Sequence, residues 1–198
     1  LSDTRDIALS PSRGLVGLVS QYDSVLNTPG ILEIWDSGRK QQIVTIPNAA
    51  GVGLAWYPDE QKIVYTKIVD GIFKLHEYDL KTKADVYLAD GHQPRISPDG
   101  KLLMFLRDDA AYLQDLATRN ERIVNLPGLF QYPNGGFLGF SSPDTFLYIA
   151  LATAGSPERW TKYNSPLVGP KPLVTIKIAD THTSEFQTVL DGIDSRDT

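Results

Sequence analysis

Gln93-Pro94-Arg95-Ile96-Ser97-Pro98-Asp99-Gly100-Lys101-Leu102-Leu103-Met104-Phe105 decides how this chain folds. Pro98 presets φ, Asp99 accepts a local hydrogen bond and Gly100 tolerates a positive φ, so Ser-Pro-Asp-Gly reads as a tight turn. The apolar run 102–106 behind it reads as a strand. Working outward, the same turn recurs as Leu9-Ser10-Pro11-Ser12-Arg13-Gly14, Trp56-Tyr57-Pro58-Asp59-Glu60 and Phe140-Ser141-Ser142-Pro143-Asp144. The prolines at 11, 58, 98 and 143 are 47, 40 and 45 residues apart.

A second mark follows each turn. Trp35-Asp36, Tyr78-Asp79, Gln114-Asp115 and Ala179-Asp180 end strand-like runs and open polar turns such as Asp79-Leu80-Lys81-Thr82. These aspartates are expected to form Asx-type turns rather than to bind metal. Apolar or β-branched runs fill the spaces between the two marks, and no window shows a helical period. Each unit is therefore predicted to be a four-stranded antiparallel meander, with boundaries at about 5–47, 48–90, 91–127 and 128–192 of one domain over 1–198. Four-stranded units of this length, repeated radially, are the mark of β-propeller blades. A β-sandwich also has short strands and Pro/Gly turns, but nothing in it requires the same turn at a blade-length period.

Composition bounds the function. The 198 residues are 41% hydrophobic and 22% charged, as in ordinary globular proteins. The net charge of −5 argues against non-specific nucleic-acid binding. The longest strongly apolar run, 146–152, is too short for a membrane-spanning helix. There is no Cys, which removes disulfides, thiolate metal sites and Cys nucleophiles. The first residue is Leu rather than Met, so a removed leader or a longer parent protein is expected.

The 93–105 stretch resembles the repeat of TolB-type propellers: a Pro ahead of the strand end, Ser-Pro-Asp-Gly-Lys, then an apolar strand. The same pattern occurs in the propeller domains of prolyl-oligopeptidase and dipeptidyl-peptidase relatives. The unit Ala55-Trp56-Tyr57-Pro58-Asp59-Glu60-Gln61-Lys62-Ile63-Val64-Tyr65 matches with Tyr for Ser and Glu for Gly, whereas the first and fourth units keep only part of the turn. Trp35-Asp36 and Gly91-His92 are reminiscent of WD repeats, but in different units. The resemblance implies an all-β propeller whose relatives close with six to eight blades. Four blades are visible here: a closed four-bladed ring, part of a larger ring and self-pairing of half-rings are all consistent with that. It also implies a periplasmic or extracellular setting, with a cytoplasmic one left open. Function does not follow, because propellers host many.

Meander topology places the tight repeated turns on one face. The other face carries 22–30, 69–71, 107–110, 151–172 and the inter-blade stretches 48–51, 90–94 and 127–136. Variable loops on a rigid scaffold are where binding usually resides. The segment 151–172 is the longest and contains Ser156-Pro157-Glu158-Arg159-Trp160-Thr161-Lys162-Tyr163-Asn164. Arg159, Trp160, Lys162 and Tyr163 are the candidate partner-binding residues, since Trp, Tyr and Arg dominate interface hot spots. Glu158 against Arg159, Lys162 and Lys171 leaves this segment at +2, which favours a protein partner with an acidic patch. His92 joins them as an inter-blade residue opening toward the same face. The competing reading has Trp160 and Tyr163 pinning the loop to its own blade.

Catalytic signatures are missing. Gly139-Phe140-Ser141-Ser142-Pro143 is no nucleophile elbow, and His76-Glu77 has no second His four residues on. His76, His92 and His182 do not converge in the predicted topology, so neither a metal site nor a cofactor is expected. The expectation is a non-enzymatic module that binds another protein through its loop-rich face. Two alternatives stand beside it: a substrate-gating propeller of a larger peptidase, and a small-ligand or sugar-binding propeller.

Overall fold

The computed structural model describes residues 4–26, 28–108, 110–126, 129, 137–151, 173–183 and 185–194. All regular structure among them is antiparallel β-sheet. Two compact units divide the chain, Leu1–Val124 and Asn125–Thr198. In the first unit, β1 (Thr4–Leu9), β2 (Leu15–Ser20), β3 (Gly30–Asp36) and the start of β4 (Gln41–Trp56) make one meander. The rest of β4 with β5 (Lys62–Val69), β6 (Ile72–Asp79) and β7 (Asp85–Asp90) makes the next. A third consists of β8 (His92–Ile96), β9 (Leu102–Arg107), β10 (Ala110–Asp115) and β11 (Glu121–Val124). The second unit holds β12 (Phe137–Ser142), β13 (Thr145–Leu151), β14 (Leu173–Asp180) and β15 (Phe186–Asp194).

Two inter-blade stretches differ from expectation. β4 runs unbroken for 16 residues, outermost in blade 1 and innermost in blade 2, with its register to β5 jumping between Ala49 and Leu54. β7 and β8 are separated by Gly91 alone, so His92 opens a strand instead of sitting in a loop. A strand can pass between blades this way because a bulge bends it without giving up its remaining ladder bonds.

The repeated turns are alike at atomic level. Ser10, Tyr57 and Ser97 donate their N–H groups to Leu15, Lys62 and Leu102 carbonyls at 2.9–3.0 Å. Asp36, Asp79, Asp115 and Asp180 each accept a backbone N–H at 2.7–2.8 Å from the residue three positions on. Those bonds lower the Asp79, Asp115 and Asp180 pKa values. Ser37, Leu80, Leu116 and Thr181 N–H groups then tie this turn to the first one, on Gly14, Gln61, Lys101 and Asp144 carbonyls. The last residue of the first turn has positive φ in three units: Arg13 at +63°, Glu60 at +60° and Gly100 at +74°.

Arg13→Gly is therefore expected to stabilise the protein slightly. Left-handed backbone costs a side-chain-bearing residue about 1–2 kcal/mol, and added unfolded-state freedom takes back roughly 0.4–1 kcal/mol. The net gain of about 0.5 kcal/mol corresponds to roughly 1–2 °C in Tm for a chain this long. Thermal melts check it; a lower Tm would mean that Arg13 holds its turn by contacts that glycine lacks.

Burial follows from how many neighbours a blade has. Val19, Leu32, Ile34, Val44 and Ile46 of blade 1 pack against Leu54, Trp56, Ile63 and Tyr65 of blade 2. Val64, Leu75 and Leu88 on the other side of blade 2 pack against Leu103 and Phe105 of blade 3. The middle of β5 and of β9 is consequently buried at every position, whereas β3 alternates between buried and half-exposed. A sheet covered on both faces shows the first pattern and one covered on a single face the second. Trp56, Tyr65 and Phe105 supply the large aromatic contacts between blades.

Candidate functional site

Loops 69–71 and 107–110 were expected to be irregular, yet the first is a two-residue hairpin. Asp70 and Gly71 both have positive φ, +53° and +77°, as a type I′ turn requires. That turn, the Gly91 joint and the end of β9 surround a cleft of about 340 Å³ on the loop-bearing face. Ile72, Phe73, Asp90, Gly91, His92, Arg107 and Asp108 line it. Such a volume lies at the small end for ligand pockets.

The cleft has an apolar side and a charged side. Ile72 is 51% exposed and forms a lip. Behind it the His92 ring meets Phe73 edge-on, 5.6 Å between centroids. Burial holds the His92 pKa below the ordinary histidine value, so the ring is neutral at pH 7. Across from it the Arg107 guanidinium lies 3.9 Å from the centroid of the Tyr112 ring. Its Nη2 donates to Glu121 Oε2 at 2.8 Å. Asp90 accepts from the Tyr87 hydroxyl at 3.0 Å. Arg107 is thus held flat and aimed, which suits it to a carboxylate or backbone carbonyl, while Ile72 and Phe73 suit an apolar side chain.

A second polar cluster lies on blade 2. Asp85 accepts from Lys67 Nζ at 2.8 Å, His76 Nδ1 at 3.0 Å and the Tyr65 hydroxyl at 3.2 Å. Burial alone raises the Asp85 pKa, but the Lys67 and His76 contacts outweigh it and hold the carboxyl below its usual range. Burial outweighs Asp85 at His76, whose pKa stays below the ordinary value. His182 lies elsewhere, 3.0 Å from Asp144 on the tight-turn face. Among the described residues, no three of His, Cys, Asp or Glu come together as a metal site.

Stability should fall as pH drops from 7.5 to 5.5. His76 and His92 both have depressed folded pKa values, so their contribution is complete above the unfolded value of about 6.5 and is lost as the pH falls below it. Asp85 adds a further loss on acidification from about 4 downward, toward its lowered folded pKa. Thermal melts at the two pH values check this: the double variant His76→Gln, His92→Gln should flatten the slope. An unchanged slope in that variant would rule the histidines out as its source.

Of the residues picked out from sequence, only His92 is at this cleft. Arg159, Trp160, Lys162 and Tyr163 lie outside the described residues. Arg107 and Ile72 were not singled out, although signals existed. Asp70-Gly71 is a hairpin signature that fixes where Ile72 and Phe73 emerge. Arg107 occupies the repeat position of Ser20 and Lys67, the sixth residue of each second strand.

No protein-family model and no curated protein sequence matches the chain. Solved structures do. TolB from Acinetobacter baumannii superimposes with a TM-score of 0.63 at 15% identity, over 96% of this chain and 44% of that one. A putative TolB from Agrobacterium tumefaciens gives 0.65 at 14% identity, over 96% and 67%. The β-propeller domain of the trilobed protease from Pyrococcus furiosus, which has an open velcro topology, gives 0.60 at 13% identity, over 96% and 57%. The chain is thus a β-propeller. More particularly, its architecture is of the TolB type, shared with propeller domains of peptidases. It spans less than half the length of the Acinetobacter TolB chain.

Proposed function

We propose that this propeller binds a protein partner through its loop-bearing face, without catalysing a reaction on it. The cleft supports the reading: an exposed apolar lip beside an arginine braced by an aromatic ring and a carboxylate. Aromatic and arginine side chains held in this way are typical of interface anchors. An extended partner segment would seat an apolar residue against Ile72 and Phe73 and an acidic group or carbonyl on Arg107. His92 forms the back wall. Arg159, Trp160, Lys162 and Tyr163 are assigned to the same partner, with the two cations favouring an acidic patch. The likeness to TolB favours a periplasmic or extracellular setting.

The test is partner capture by immobilised protein with matched variants. Ile72→Asp and Trp160→Ala with Tyr163→Ala are each expected to weaken capture at least tenfold, as loss of a hot spot does. Arg39→Ala, in a turn of the opposite face, should leave it intact. Equal capture by all variants would end the proposal.

A second reading rests on the peptidase propellers among the similar structures. In it the propeller limits substrate access to a catalytic domain elsewhere in a larger protein. A serine-hydrolase domain in the parent polypeptide would favour it.

A further inference from the structure

Two connections on the loop-bearing face of the unit Leu1–Val124 hold apolar side chains out to solvent. In blade 1, Asp23 Oδ1 accepts the Val25 and Leu26 N–H groups at 2.8 and 3.1 Å. Asp23 and Thr28 also exchange backbone hydrogen bonds of 3.2 and 3.0 Å. The chain between β2 and β3 is thus a pinned turn, and Val25 and Leu26 near its tip are 89% and 75% exposed. In blade 2 the Asp70-Gly71 turn leads straight into the exposed Ile72. Apolar side chains carried on a rigid turn lose little conformational freedom when a partner covers them.

The same face is acidic. Asp23, Asp70, Asp90 and Asp108 stand at its β2–β3, β5–β6, β7–β8 and β9–β10 connections, and none of them makes an ion pair among the described residues. Lys67 and Arg107, toward the loop ends of β5 and β9, are already held by Asp85 and Glu121, both at 2.8 Å. Lys74 is the exception, with its Nζ 5.9 Å from the Tyr87 ring centroid and no carboxylate in contact. Exposed cations sit instead in the tight turns of the opposite face, at Arg13, Lys40, Lys81, Lys83, Lys101 and Arg119. Charge is therefore segregated between the two faces of this unit.

Each feature selects among partners. Carboxylates without counter-ions repel nucleic acid and the anionic surface of a bilayer. Arg107, neutralised by Glu121, offers N–H donors that suit a backbone carbonyl. Apolar tips set among carboxylates suit a surface on which aliphatic side chains alternate with lysine or arginine.

We propose that the protein segment seated on blades 1–3 is basic and aliphatic. Its apolar side chains meet Val25, Leu26 and Ile72, and its lysines or arginines meet Asp70, Asp90 and Asp108. This rests on the reading that the loop-bearing face binds a protein, and it assigns that partner its charge. Opposite charges also steer the encounter, so association slows as salt is raised.

Selection of a random phage-displayed peptide library on the immobilised whole chain tests this. Enriched peptides should carry net positive charge and aliphatic residues. For a synthetic copy of the leading peptide, Asp90→Asn combined with Asp108→Asn should raise Kd roughly two- to thirtyfold, the worth of two exposed ion pairs. Asparagine keeps the acceptor that Asp90 offers to the Tyr87 hydroxyl and tolerates the positive φ of Asp108, so the fold is retained. Asp59→Asn, in a tight turn of the opposite face, should leave Kd unchanged. Acidic or uncharged peptides that still lose binding in Ile72→Ala would overturn the charge assignment and keep the binding face. Peptides indifferent to both Ile72→Ala and the asparagine pair, or no enrichment at all, would overturn both. A basic peptide whose Kd ignores the asparagine pair also overturns the charge assignment. Co-sedimentation of the protein with phosphatidylcholine vesicles that Leu26→Ser abolishes would make the blade 1 tip a lipid anchor and overturn the proposal too.

Discussion

Phe105→Ala is expected to cost about 3–5 kcal/mol, the usual range for emptying a buried aromatic site. Phe105 is fully buried at the joint of blades 2 and 3, in a cluster with Val64, Leu75, Leu88 and Leu103. Its ring stacks on Tyr112 with centroids 5.7 Å apart and planes 17° apart. Backbone ladders hold the strands on both sides, so the walls cannot collapse far into the void. Against a total stability of about 5–15 kcal/mol, this is a large share. Urea melts should show a lower midpoint at constant slope. Phe105→Leu, which refills most of the volume, should cost under about 1.5 kcal/mol. The cleft reports on the same residue, because the Arg107 guanidinium rests over both Phe105 and Tyr112. Phe105→Ala should then weaken binding as well, whereas Ile72→Ala at the exposed lip should weaken binding with little loss of stability. If Phe105→Ala melts within about 1 kcal/mol of wild type, the joint tolerates a void that close packing forbids.

Propeller architecture was legible because its signals are local. Pro98, Asp99 and Gly100 make a turn with their own backbone, and Asp36, Asp79, Asp115 and Asp180 bond to amides two or three residues on. Such bonds need no tertiary context, and repetition at blade length supplied the rest. The passage between blades was not legible. Asn48, Ala49 and Ala50 read as a loop because Asn and small residues punctuate turns. In the structure Asn48 has φ +63° within a continuous β4, a bulge that the neighbouring sheet imposes. The cleft was half legible. His92 stood out because histidine is rare in this chain, but its role depends on Phe73, nineteen positions away across two strands. Arg107 looked like one more surface charge until Tyr112 and Glu121 were seen to brace it.

Gly53→Ala should cost about 3 kcal/mol, from backbone strain of about 1–3 kcal/mol and overpacking of similar size. Gly53 has φ +125°, and an added Cβ would lie 2.7 Å from both Gln93 Cα and Pro94 Cδ. Here β4 and β8, the innermost strands of blades 2 and 3, come backbone to backbone. No rotamer change can relieve the clash, so the strands must part. The Gly53 N–H also donates to the Asp6 carboxylate, a mostly buried group whose pKa burial has already raised. Parting the strands would weaken that bond too. Gly71→Ala separates the two contributions. Gly71 has φ +77°, but a Cβ there meets nothing within 4 Å. It should lose only the conformational part, about 1 kcal/mol after the unfolded-state gain. Denaturant melts of the two variants should therefore differ by about 2 kcal/mol, the share due to contact. Equal losses would mean that β4 and β8 can separate freely, and the joint between blades 2 and 3 would then rest on Phe105 and its neighbours without the close approach at Gly53.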